Sequence, residues 1–128
     1  MRELGSTQPT AVELEILRIL WELQPCPARV VHNQLAEVKQ TNYSTTVKML
    51  SVMLEKGLVK RNEKVTPHLY RAALSRKRAA RTFLGDLIDK VYDGSAMSLV
   101  LQALASGNAS PEEIDEARKL LDRMEDRQ

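Results

Sequence analysis

Ile16, Ile19, Leu20 and Leu23 fall at the i, i+3, i+4 and i+7 spacing that lines one face of an α-helix with apolar side chains. Val12, Leu14 and Leu17 belong to the same segment. Thr10, with Glu13 three residues on, has the form of a capping box and marks its start. Gln24-Pro25-Cys26-Pro27 ends it, because a residue before proline is pushed out of the helical region and proline breaks the hydrogen-bond ladder. Pro27 then suits the first turn of a second helix over residues 28–38, with Val30 or Val31, Leu35 and Val38 turned inward and Gln34 outward. A third helical pattern runs over residues 43–56 and stops at Gly57, a residue that favours the left-handed conformation past a helix end. At about 100° per residue, Thr46, Met49, Leu50 and Met53 share one side of it, and Ser44, Lys48, Ser51 and Glu55 take the other.

The rhythm then changes. Residues 58–62 and 68–73 read as two short strands joined by the polar Glu63-Lys64-Val65-Thr66-Pro67, a hairpin with a basic tip. Three helices followed by such a hairpin is the order of a winged helix-turn-helix. The remainder is helical: Ser75 caps a helix to about residue 92, carrying Ala80, Phe83, Leu84, Leu87, Ile88 and Val91 as its apolar stripe. Asp93-Gly94-Ser95 breaks it, and an apolar helix with Leu99, Leu101 and Leu104 covers residues 96–105. Ser110-Pro111-Glu112-Glu113 is a helix start with proline at the first position and acids in the first turn. The last helix carries Ile114, Ala117, Leu120, Leu121 and Met124. The fold class expected is mainly α with a small β-hairpin: a winged-helix domain over residues 10–74 and a helical dimerisation domain over residues 75–128.

Composition narrows this. Hydrophobic residues are 43% and charged residues 28% of a 128-residue chain, enough apolar side chain to build a core, so wholesale disorder is excluded. Five aromatic residues leave that core to Leu, Val, Ile, Met and Ala, which disfavours an all-β sandwich. No apolar run approaches the roughly 18 residues of a membrane span, and residues 1–9 are polar and read as a mobile arm rather than a signal peptide. A cytoplasmic protein without membrane insertion is expected. Cys26 is the sole cysteine, which rules out an intrachain disulfide and a cysteine-rich zinc site. No metal or cofactor is expected.

Net charge is only +2, but its distribution is uneven. From Lys39 to Arg81 there are eleven Lys and Arg against two acids, and from Asn108 to the end seven acids against four bases. A basic middle with an acidic tail is the usual electrostatic footprint of a nucleic-acid binder that keeps its tail away from the polyanion; the other reading is a set of ordinary solvated faces. In a helix-turn-helix the second helix of the motif enters the major groove. Its counterpart here is the third helical segment, whose Ser44, Thr45 and Lys48 are outward donors suited to base edges and phosphates. Tyr43 either donates to a phosphate or packs against Val47. Lys60, Arg61, Lys64 and His68 of the hairpin could reach the adjacent backbone or minor groove. With no bidentate arginine on the recognition helix, base readout is modest, and dimerisation and DNA shape must add specificity.

The three C-terminal stripes are too narrow for a core of their own. They bury against a second copy, through Phe83, Leu84, Leu87, Ile88, Val91, Leu99, Leu101, Leu104, Leu120 and Leu121, or fold back on the first 74 residues. An enzyme is not expected: no catalytic series, glycine-rich phosphate loop or paired-carboxylate cleft surrounds Cys26, His32 or His68. His32 reads as a partly exposed helix residue and Trp21 as core. The other open reading is a winged-helix protein-interaction module that never touches DNA.

The runs Tyr43-Ser44-Thr45-Thr46-Val47-Lys48-Met49-Leu50 and Glu55-Lys56-Gly57-Leu58-Val59, the strand His68-Leu69-Tyr70-Arg71, and Val91-Tyr92-Asp93-Gly94-Ser95 before Ser98-Leu99-Val100 carry a resemblance. In order and spacing they are similar to the BlaI/MecI penicillinase-repressor family, from Thr10 to the acidic last helix. The resemblance implies a homodimeric winged-helix repressor on a palindromic double-stranded DNA operator, released when a membrane sensor-protease pathway leads to cleavage in the dimerisation domain. By position the cut falls at Leu101-Gln102-Ala103, where Gln102-Ala103 replaces the asparagine–phenylalanine bond of staphylococcal members. A copper-responsive branch ends in a cysteine-rich motif; no cysteine follows Cys26, so copper sensing is not expected.

Overall fold

The computed structural model describes residues 9–127, and the arm expected over residues 1–9 lies, apart from Pro9, outside them. The described residues form α1 (Ala11–Leu23), α2 (Ala28–Val38), α3 (Tyr43–Lys56), β1 (Val59–Asn62), β2 (Leu69–Ala72), α4 (Arg76–Val91), α5 (Ala96–Ala105) and α6 (Pro111–Asp126). They group into two compact units that divide between Phe83 and Leu84, inside α4.

In the first unit, α1 opens on the expected capping box: the Thr10 amide donates to Glu13 Oε1 at 2.9 Å and the Glu13 amide to Thr10 Oγ1 at 3.2 Å. The same carboxylate has a second role. It is almost fully buried, and Lys56 Nζ donates to its two oxygens at 2.8 and 3.1 Å. The start of α1 is thereby tied to the end of α3, where a cation also complements the helix dipole. Gly57 follows in the left-handed region, at φ 80°.

Ile16, Leu17 and Leu20 of α1, Val31 and Leu35 of α2, and Leu50 and Met53 of α3 form one buried cluster with Cys26, Val59, Tyr70 and Ala72. The two strands pair antiparallel, with Val59 opposite Ala72, Lys60 opposite Arg71, Arg61 opposite Tyr70 and Asn62 opposite Leu69. Cys26 adds a one-residue third strand, its amide donating to the Tyr70 carbonyl at 3.1 Å and the Tyr70 amide returning to Cys26 at 2.8 Å. The Ala72 amide donates to Gln24 Oε1 at 2.7 Å, and the Trp21 indole donates to the Leu74 carbonyl at 2.9 Å. The wing is thus hydrogen-bonded to the loop between α1 and α2, an attachment that no periodicity in the sequence announces.

Two inward expectations fail. Val38 is 67% exposed and Leu23 42%. Each is the last residue of its helix, and both border an open cleft with Ile19 and the charged Glu15, Arg18, Glu22, Glu37 and Arg76. Their phase on the helix is right, but among the described residues no element seals the cleft over them. The strands are also shorter than expected: Leu58, His68 and Ala73 lie outside them, although the Ala73 amide still donates to the Leu58 carbonyl at 2.9 Å.

In the second unit, Asp93 and Gly94 take positive φ at the break after α4, and Ser95 caps α5 through the Ser98 amide at 3.1 Å. Ser110 and Glu113 form a reciprocal capping box on α6, with Pro111 at its first position. Termini are well made, yet no residue from 84 to 127 is buried.

Replacing Lys56 with alanine leaves the buried Glu13 carboxylate without its cation. Because Lys56 is itself a quarter exposed, the expected loss is about 1–3 kcal/mol in urea unfolding. An unchanged midpoint would show that the pair does not hold α1 to α3.

Candidate nucleic-acid interface

α3 carries opposite chemistry on its two sides. Thr46, Leu50 and Met53 have no exposed surface, whereas Ser44, Thr45, Lys48, Ser51 and Glu55 are exposed. Asn42 caps the helix, its Oδ1 accepting from the Thr45 amide at 2.8 Å and from the Ser44 hydroxyl at 3.0 Å. Ser44 therefore presents its lone pairs outward while its proton is occupied. Lys48 stands clear on the same surface, one turn further on.

Tyr43 is held in a way that neither of its two expected roles included. The Arg29 guanidinium stacks over its ring at 3.8 Å, and the His32 ring meets it edge-on at 5.7 Å. A stacked guanidinium keeps its in-plane N–H donors free, the geometry that suits phosphate. Arg29, Tyr43 and Val47 share the walls of an open groove with Thr66, Pro67 and His68 of the wing tip. The groove brings together two expected residues, Tyr43 and His68, and adds Arg29, whose place one turn before His32 on an otherwise apolar-patterned α2 gave no signal in the sequence.

On the wing, Lys60 is exposed and directly opposite Arg71, also exposed. Like charges facing each other across a strand pair repel, so this face favours an anion between them. Arg71 was missed as a site residue because its partner depends on register. Lys64 is exposed at the tip, where its amide donates to Asn62 Oδ1 at 3.0 Å. Arg61 is placed differently from the others: it is half-buried, and its Nε donates to Glu63 at 2.9 Å. Hydrogen bonding to the Tyr70 side chain, and next to Glu63, holds the Arg61 pKa above its ordinary value, and the same bond to Arg61 holds the Glu63 carboxyl below its own. A cation already paired has less to offer a phosphate than Lys60 or Lys64.

Nothing among the described residues resembles a reactive centre. Burial pushes the Cys26 thiol up in pKa, away from the thiolate a nucleophile needs. Among the described residues no group of three His, Cys, Asp or Glu side chains could hold a metal ion, and no helix is long and apolar enough to cross a membrane. The C-terminal residues expected at a dimer seam sit mostly in the open: Leu84, Leu87, Val91, Leu101, Leu104, Leu120 and Leu121 are all more than 40% exposed, with Phe83, Ile88 and Leu99 half-covered.

Three helices, a β-hairpin wing and a polar outer face on the third helix define a winged helix-turn-helix protein. The comparison with known sequences then supplies the family. The family model for the penicillinase repressor matches residues 9–123, so the chain belongs to the penicillinase repressor family. It is similar to the penicillinase repressor of Bacillus licheniformis, 22% identical over 120 residues that cover 94% of each chain. It is similar also to that of Staphylococcus aureus, 23% identical over 113 residues covering 85% of this chain and 86% of the other. The family is one of transcriptional repressors, and the chain is a regulator, not an enzyme.

Proposed function

We propose that the protein binds double-stranded operator DNA in the cytoplasm as a homodimer, with α3 in the major groove and the wing on the flanking backbone, and represses by occluding a promoter. The observation that carries this reading is the division of α3 into a sealed inner side and an open polar outer side, beside exposed cations of α2 and the wing. Ser44, Thr45 and Lys48 take the groove. Arg29 with Tyr43, Lys60, Lys64, His68 and Arg71 take phosphates, and Arg61 contributes once Glu63 is displaced by a stronger anion. DNA binding belongs to residues 10–74 and dimerisation to residues 75–128.

The dimer follows from residues 84–127. Every large apolar side chain there stays uncovered or half-covered in the single chain, and a second copy presents the same stripes. Two copies with twofold symmetry match a palindromic operator. Relief of repression through a membrane sensor-protease pathway would act at Leu101, Gln102 and Ala103, and their exposure on α5 supports that reading. A helix with no buried residue opens locally at small cost, and a cut there would divide the face that joins the copies.

Binding to a mixed-sequence duplex should weaken steeply with salt, with a log–log slope of about −0.9 per phosphate neutralised. Lys60→Ala, which removes an exposed cation assigned to phosphate, should make that slope shallower by about 0.9, the share of one phosphate, without unfolding the chain. A flat salt response in the native protein would favour a protein-interaction module instead. For the dimer, Leu87→Asp places a charge in the apolar seam and should yield monomers or unfolded chain in sedimentation. An assembly of unchanged mass would take α4 out of the interface.

A further inference from the structure

Thr46 is a polar side chain of α3 with no exposed surface, and its neighbours explain what it is for. Its Oγ1 lies 2.9 Å from His32 Nδ1, on α2, and 3.3 Å from the carbonyl of Asn42, the residue that caps α3. A hydroxyl has one proton. Both contacts are satisfied together only when His32 Nδ1–H donates to Thr46 Oγ1 and the Thr46 hydroxyl donates to Asn42. His32 then forms a continuous link from α2, through Thr46, to the cap that also receives the Ser44 hydroxyl and the Thr45 amide. The same imidazole meets Tyr43 edge-on, so positions 43 and 46, one turn apart on α3, are both held by one side chain of α2.

We infer that His32 is a positioning residue for sequence readout: through Thr46 it fixes the rotation and rise of α3, and with them the positions of Ser44, Thr45 and Lys48 against base edges. The inference rests on the reading of α3 as the recognition helix and deepens it. Leu50 and Met53 hold the helix by apolar contact alone, which is non-directional and tolerates small rotations. Hydrogen bonds to base edges lose strength once donor and acceptor leave a window of about 2.7–3.2 Å, so a small rotation is felt in discrimination among sequences. Phosphate contacts made by flexible lysines adapt to it. The His32–Thr46 link should therefore govern specificity and leave general affinity for DNA nearly untouched.

The test uses the full chain and two probes: a duplex that the native protein selects from a random-sequence pool, and a shuffled duplex of the same composition. His32→Ala and Thr46→Val should each lower the ratio of selected to shuffled affinity about tenfold, and Thr46→Val, which leaves the contacts among His32, Tyr43 and Arg29 in place, should do so with shuffled affinity and salt slope unchanged. The double variant should fall no further than His32→Ala alone, because Thr46→Val removes a link that His32→Ala has already broken. His32→Asn, whose side-chain amide can donate from near the Nδ1 position, should restore most of the ratio. Thermal melts followed by circular dichroism accompany each variant, and if His32→Ala fails to fold, the nearly isosteric Thr46→Val carries the comparison. An unchanged ratio in Thr46→Val, additive losses, or no rescue by His32→Asn would overturn the role of His32 while leaving DNA binding intact. A native protein that selects no duplex and binds without salt dependence would remove the recognition-helix reading itself, and this inference with it.

Discussion

The first unit is organised around the grip that holds the inner side of α3: the complete burial of Leu50 and Met53 in one cluster with residues of α1 and α2. Each such side chain contributes about 1.5–3 kcal/mol by leaving water, enough to fix which way α3 faces. Polar links then refine what apolar packing leaves loose. Glu13 and Lys56 fasten the far end of α3 to the start of α1, and His32 with Thr46 fastens its near end to α2. The wing is placed by separate means, through Cys26 and Gln24 from the loop between the first two helices. α3 and the wing are thus both referred to the same small core.

Much of this is legible in the sequence because it is written in local periods. The stripe 16, 19, 20, 23, the cap pairs Thr10 with Glu13 and Ser110 with Glu113, and Gly57 past the end of α3 set helix positions to within a residue or two. The failures have a common cause in long-range geometry. Val38 and Leu23 have the right phase but border an open cleft, which only the packing of α1 against α2 decides. Glu13 was visible as a cap and not as the partner of a lysine 43 residues away. In the same way, Arg61 looked like a free cation until the strand register set it across from Tyr70, and Arg71 became a site residue only when the same register faced it to Lys60. His32 looked like an ordinary partly exposed helix residue because its partner, Thr46, lies on another helix.

The second unit poses the opposite case. Its helices are capped as carefully as those of the first, so local signals are easy to read, yet none of its described residues is buried. Helices that leave their apolar sides unsealed are the surface on which the proposed dimer rests.

The central claim concerns which side of α3 faces outward to DNA, and backbone amide shifts in NMR test it residue by residue. On titration with a selected duplex, the amides of Ser44, Thr45, Lys48, Lys60 and Lys64 should move together while those of Ile16, Leu50 and Met53 stay in place. Shifts confined to residues 84–127, or no shifts along α3 under conditions where the duplex is bound, would contradict the account.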